Sequence, residues 1–170
     1  MKRLTLIRHA NADWKDARVP DFDRPLNRRG LSEAEAIGKL LLEQELVPDL
    51  LLASAARRTQ QTAEIIVRKL SLTPRRVKAV ELLYLAPLED ILALAQNTGP
   101  KVQHLAIVGH NPGLSELAKE LAPAGITVAD LTTGAACTLT FTASTWINIG
   151  PPASRAVQFQ PPQKIFSLFL

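Results

Sequence analysis

Two short apolar runs each end in a histidine. Leu4-Thr5-Leu6-Ile7 leads into Arg8-His9-Ala10, and Leu105-Ala106-Ile107-Val108 leads into Gly109-His110-Asn111-Pro112-Gly113. A third apolar run, Leu50-Leu51-Leu52-Ala53, passes into Ser54-Ala55-Ala56-Arg57-Arg58-Thr59-Gln60-Gln61-Thr62-Ala63. An imidazole changes charge near pH ~6.5, so it serves as a nucleophile or a proton carrier at neutral pH. A guanidinium binds phosphate oxygens in pairs, and a helix N-terminus adds unpaired N–H groups. Brought to one pocket, these residues are equipped for phosphoryl transfer. Taken singly they read more blandly, as a strand-end ion pair, a solvated basic helix start and a helix-capping histidine.

The elements around these residues decide whether they meet. Residues 2–7 predict a first strand, 50–54 a second, 77–83 a third and 102–108 a fourth. Between them run helical stripes. Ser32-Glu33-Ala34-Glu35 has the form of a capping box, opening a helix over 31–44. Ala63, Ile66, Val67 and Leu70 follow at i, i+3, i+4 and i+7, as do Leu88, Ile91, Leu92 and Ala95, and then Leu114, Leu117, Ala118 and Leu121. After Gly134 the pattern turns strand-rich, with runs over 135–142 and 155–160 and an apolar tail, Ile165 to Leu170, that reads as a strand or packed terminus.

This alternation predicts one α/β domain over residues 1–170 with a mainly parallel sheet. In such sheets ligands bind beyond the carboxyl ends of the strands. If the strands ending at His9 and His110 are neighbours, the two imidazoles face each other. Residues 11–29 have no periodicity and carry Pro20, Pro25, Asp13, Asp16, Asp21 and Asp23, a long loop of the kind that serves function. His104 opens its strand at the opposite end and is expected to be structural. Gly109 permits an unusual backbone angle.

Composition narrows the partners. The chain is 46% hydrophobic and 21% charged with a net charge of +4, which suits an anionic substrate. With 5% aromatic residues and no long basic run, no nucleic-acid partner is expected. The first apolar run is too short for a signal peptide, and no stretch approaches the ~20 apolar residues of a membrane span. A single cysteine, Cys137, excludes an internal disulfide and fits a cytoplasmic location. A cysteine phosphatase needs Cys-x5-Arg, but Ala143 stands where that arginine belongs. There is no Gly-x4-Gly-Lys loop and no His-x-x-x-His, so neither a nucleotide P-loop nor a metal centre is expected, and no cofactor.

Leu6-Ile7-Arg8-His9-Ala10 resembles the Arg-His-Gly signature of the histidine phosphatase (phosphoglycerate mutase-like) superfamily. Ser54 to Ala63 is similar to that superfamily's Ser-Pro-x-x-Arg-Ala-x-Gln-Thr-Ala segment, and Val108 to Pro112 to the segment carrying its second histidine. The short chain, Asp23-Arg24-Pro25-Leu26-Asn27 and Thr133-Gly134-Ala135 look most like the SixA-type phosphohistidine phosphatases. Ala10 departs from the usual glycine, and Ala55 and Thr59 from Pro and Ala.

The resemblance implies a single-domain α/β/α fold and a phosphatase in which His9 is the nucleophile. Arg8, Arg58 (rather than Arg57) and His110 would bind the phosphoryl group, with Arg24 and Asn111 as further ligands. Many members place an acidic proton donor after the third strand. Here that region reads Glu81-Leu82-Leu83-Tyr84, with Tyr84 near the acid's place and Glu81 three residues earlier, so the donor is unassigned. A phosphoramidate such as protein phosphohistidine fits, because its nitrogen leaves more readily than an alkoxide. The alternatives are a small-molecule phosphomonoesterase, a phosphoglycerate mutase-type phosphotransferase and a phosphopeptide-binding module.

Overall fold

The computed structural model describes residues 1–160 and the strand Lys164–Leu168. Its centre is β1 (Lys2–Arg8), where Leu4 and Leu6 point to one face and Ile7 to the other, all fully buried. β4 (His104–Gly109) lies parallel to β1, with Leu6 opposite Ile107 and Arg8 opposite Gly109. β2 (Leu50–Ser54) and β3 (Val77–Val80) extend the parallel sheet beyond β4. On the other side, β5 (Ala136–Phe141), β6 (Arg155–Gln160) and β7 (Lys164–Leu168) continue it antiparallel, giving the order β3-β2-β4-β1-β5-β6-β7. Strands buried on both faces read as continuous apolar runs, and β1, β2 and β4 do so.

Two helices cover each face. α1 (Arg28–Glu43) and α2 (Arg57–Lys69) pack on the face of Ile7, Leu51, Ala53, Ala106 and Val108. α3 (Leu88–Gln96) and α4 (Gly113–Glu120) pack on the face of Leu4, Leu6, Leu52, Leu105 and Ile107. The expected α/β class and three-layer arrangement are therefore present. No helix among the described residues is long and apolar enough to cross a membrane.

Two local expectations need correction, and the backbone freedom that Gly109 permits goes unused. α1 starts at Arg28, and its cap is Asn27, whose side-chain oxygen accepts from the Gly30 amide at 2.9 Å. Ser32 lies inside the helix and donates to the Arg28 carbonyl, so the capping-box pattern was a coincidence of helix-surface residues. The third strand ends at Val80, because Glu81–Leu83 turns into a 3-10 helix that leads into Tyr84. Gly109 stays in the extended strand, and a side chain there would meet only ordinary contacts with Leu114. The tail forms β7 as far as Leu168; the remainder of it lies outside the described residues.

Candidate active site

The strand order answers the question posed by the two histidines. β1 and β4 are adjacent and in register, so the residues just past their ends share one pocket. The His9 and His110 rings lie 5.2 Å apart, both buried. The His9 amide donates to the Gly109 carbonyl at 3.0 Å and its carbonyl accepts from the Gly134 amide, locking the backbone beyond β1.

α2 delivers the cation between them. Arg57 and Arg58 open this helix, and consecutive helical side chains point about 100° apart. Arg57 is exposed, whereas Arg58 turns inward and is 2% exposed. Arg58 Nε donates to His9 Nε2 at 3.3 Å, and its Nη2 donates to His110 Nδ1 at 3.3 Å. Thr62, one turn on, donates to the Arg58 carbonyl and accepts from the Ala10 amide, tying α2 to the end of β1.

These contacts set the tautomers. A carbonyl only accepts, so His9 Nδ1, 2.8 Å from the Ala10 carbonyl, carries the ring proton. Nε2 therefore presents a lone pair beside Arg58. In His110 the roles reverse. Nδ1 accepts from Arg58, so Nε2 carries the proton and donates to Ser54 Oγ at 2.8 Å. Burial, with the charges of Arg58 and Arg8, pushes His9 down to about 4 against the opposing Ala10 hydrogen bond. Burial, His9 and Arg58 push His110 down to about 3. Both are neutral imidazoles at physiological pH.

Arg8 enters from β1, half-buried, and Nη1 donates to the Leu131 carbonyl at 3.0 Å. Its Nε is buried with no partner among the described residues. Asn111 Nδ2 donates to the same Leu131 carbonyl at 2.9 Å, and its side-chain oxygen accepts from Ser115. Asn111 thus shares an acceptor with Arg8, and both ends of its amide are engaged. Arg24 is buried, donates to the Asp13 and Asp16 carbonyls, and stacks on Trp14 at 4.6 Å. Its hydrogen bonds go to its own loop rather than to the histidines.

Four residues at the site escaped the sequence reading as members of it. Ser54 orients His110. Glu33, buried on α1, accepts from the Asn11 amide just past His9. Gln61 accepts from the Leu26 amide and pins the far end of the 11–27 loop to α2. Asp21 is the fourth. The loop folds back so that Asp21 Oδ2 accepts from Arg58 Nη2 at 3.0 Å and from the Tyr84 hydroxyl at 2.7 Å. Ser54 and Gln61 lay inside a conspicuous segment, but Asp21 was one of several aspartates in an aperiodic loop. Of the two residues weighed after the third strand, Tyr84 reaches the site and stacks edge-on to His110 at 5.5 Å, while Glu81 is exposed. His104 bonds Thr5 Oγ1 at 2.7 Å at the far end of the sheet, as expected.

A neutral imidazole whose Nε2 lone pair meets a guanidinium N–H, with a second imidazole beside it, is suited to accept a phosphoryl group once that N–H turns to the phosphoryl oxygens. The family model of the histidine phosphatase superfamily (branch 1) matches residues 4–82. The putative phosphohistidine phosphatase SixA from Agrobacterium tumefaciens is 32% identical with a TM-score of 0.69, covering 81% of this chain and 91% of that one. A protein histidine phosphatase SixA complexed with tungstate is 26% identical with a TM-score of 0.71, covering 82% and 88%. An uncharacterized chloroplastic protein of Arabidopsis thaliana is 29% identical over 133 residues, 74% of this chain, and the match spans only 61% of that relative. The sheet, the two opposed histidines and these likenesses lead to one statement: the chain belongs to the histidine phosphatase superfamily.

Proposed function

We propose that the protein hydrolyses a phosphoryl group in two steps through His9, and that its substrate is a phosphohistidine carried by a protein. The observation that carries the first part is the contact between Arg58 Nε and His9 Nε2. It puts the attacking lone pair beside a cation that can follow charge onto the phosphoryl oxygens. Phosphoryl transfer is mostly positioning and charge stabilisation, and preorganised donors supply both.

In this reading Nε2 attacks phosphorus while Nδ1 stays bonded to Ala10. Arg8 and Arg58 clamp two oxygens, and His110 turns its Nε2–H from Ser54 to the third. Asn111 positions Arg8 through Leu131, and Arg24 is a ligand at the loop edge. Water then attacks the phosphorylated His9 and releases phosphate.

The protein-borne substrate is supported by the mouth of the pocket and by the SixA likeness. Phe22, packed edge-on to Tyr84, is partly exposed; Leu82 and Leu85, either side of Tyr84, and Trp14, over Arg24, are well exposed. Exposed apolar groups gathered at a charged pocket suit a macromolecular surface. A phosphomonoesterase acting on small molecules is the second reading, favoured by the carboxylate of Asp21 at the site.

The test is a substrate panel of phosphohistidine protein, phosphoramidate, sugar phosphates and phosphoglycerate. Phosphohistidine protein should be turned over fastest, and His9→Ala should abolish turnover of every substrate. Full activity in His9→Ala overturns the proposal, and a preference for a sugar phosphate or phosphoglycerate replaces the substrate.

A further inference from the structure

We infer that Asp21 is the proton donor to the leaving group and that Tyr84 positions it; this rests on the phosphatase reading above. Arg58 spans the pocket, with Nε turned to His9 and Nη2 turned to Asp21. A phosphoryl group seated on that guanidinium has His9 on one side and the Asp21–Tyr84 pair on the other. The second side is where the leaving atom must lie for in-line attack.

The carboxylate is also well prepared. Both of its contacts fall on Oδ2, from Arg58 and from the Tyr84 hydroxyl, and among the described residues Oδ1 accepts no hydrogen bond. Oδ1 is thus the oxygen free to carry a proton. The Asp21 side chain is 38% exposed, so water can supply that proton.

Three elements hold Asp21 there. The Asp21 carbonyl accepts from Arg58 Nη1, fixing the loop to α2. Tyr84 comes from the turn after β3. That turn is seated by Gly113, where a side-chain carbon would stand 2.1 Å from the Ala86 carbonyl. Leu85, next to Tyr84, holds a left-handed backbone (φ 50°) unusual for leucine, consistent with a segment placed for its neighbour's position.

The groups acting on Asp21 are Arg58, Tyr84 and His110, and His9 also feels its charge. Partial burial works to raise its carboxyl, but the hydrogen bonds from Tyr84 and Arg58 and the Arg58 charge hold it below the usual range in the free enzyme. A bound phosphoryl dianion reverses that balance, because it occupies the Arg58 cation and adds like charge beside Asp21. Asp21 then takes up a proton from the bulk solvent pool, to which it returns one when phosphate leaves. His9 Nε2 donates its electron pair to phosphorus, and the bond from phosphorus to the leaving nitrogen or oxygen breaks. That bond's electrons go to the leaving atom, which takes the proton from Asp21 Oδ1. In the second step the Asp21 carboxylate takes a proton from the attacking water as the phosphorus–Nε2 pair returns to His9.

The experiment compares wild type, Asp21→Asn and Asp21→Glu on aryl phosphates from 2,4-dinitrophenyl to phenyl phosphate, with radiolabelled phosphoryl trapping on His9 alongside. Asp21→Asn should lose about 10²–10⁴ in kcat/KM on phenyl phosphate, a general acid's usual contribution, and far less on the dinitrophenyl ester. Asp21→Glu should restore part of the phenyl phosphate activity, and the basic limb of the wild-type kcat–pH profile should vanish in Asp21→Asn. An equal loss on every ester makes Asp21 a positioning residue for Arg58 only, and no loss removes it from the reaction. With His9 still labelled, either result overturns this inference alone. A wild type that neither labels His9, nor hydrolyses any ester, nor dephosphorylates phosphohistidine protein overturns the phosphatase reading, and this inference with it.

Discussion

Arg58 Nε donates to His9 Nε2 across 3.3 Å, although the two residues lie 49 positions apart in the chain. This contact and the Ala10 carbonyl together leave His9 one tautomer, with its lone pair toward the pocket. The same cation lowers the cost of staying neutral, because a protonated imidazole would face a guanidinium. One residue of α2 thus prepares the side chain at the end of β1 and fills the space between both histidines.

Arg58→Ala should therefore reduce kcat by about 10²–10³, the usual effect of removing a preorganised donor. Lysine is not an adequate substitute, since it lacks the planar fork that reaches both histidines and Asp21. Arg57→Ala should keep activity within about twofold, because that side chain points to solvent. Steady-state kinetics on one aryl phosphate separates the two, and equal effects at Arg57 and Arg58 would contradict the geometry.

Gly113→Ala forces a carbon against the Ala86 carbonyl, 2.1 Å away, and backbone has little room to yield. Overpacking of this kind costs about 1–3 kcal/mol. The displaced segment carries Tyr84, so kcat should fall along with Tm. Thermal melts and kinetics on the same preparation check both, and an unchanged Tm would show that the approach is looser than described.

Asn27→Ala should destabilise the protein by about 1 kcal/mol, the usual worth of an N-cap. Ser32→Ala should stay within about 0.5 kcal/mol, because its hydroxyl only bonds a carbonyl within the helix at the surface. Urea unfolding of both variants decides between the two capping assignments. The reverse ranking would restore the capping box.

Acid should weaken the fold early. His9, His104 and His110 are held by burial down to about 4, 4 and 3, whereas an unfolded histidine titrates near ~6.5. Below ~6.5 the unfolded chain takes up protons that the folded chain refuses until about pH 4. Stability is therefore full above ~6.5 and declines as pH falls through that window. Differential scanning fluorimetry should show Tm lower at pH 4.5 than at pH 7.5 by at least about 5 °C. A flat profile would mean that these imidazoles titrate normally.

The elements that reach the pocket were legible because their signals are local. β1, β2 and β4 are buried on both faces and read as unbroken apolar runs, and α2 shows its stripe at Ala63 and Ile66. Boundaries were less legible. Nothing near Ser32 reveals that Asn27 already caps the helix, since cap geometry depends on how residue 27 meets Asn11 and Ala12. The end of β3 was misplaced for a similar reason, because Leu83 is apolar whether it continues a strand or closes a 3-10 turn.

From the sequence alone came three strand-to-helix junctions bearing His9, Arg58 and His110, and hence the chemistry they suit. Side-chain type and period carry that information, and neither depends on distant parts of the chain. Tertiary structure decided the rest. It made β1 and β4 neighbours, turned Arg58 inward and Arg57 outward, and brought Asp21 onto Arg58 and Tyr84. The 11–27 loop has no periodicity to read, and its path is set by bonds such as Leu26 to Gln61, 35 residues away. A carboxylate placed by long-range contacts leaves no local trace, so Asp21 emerged only when the chain was folded.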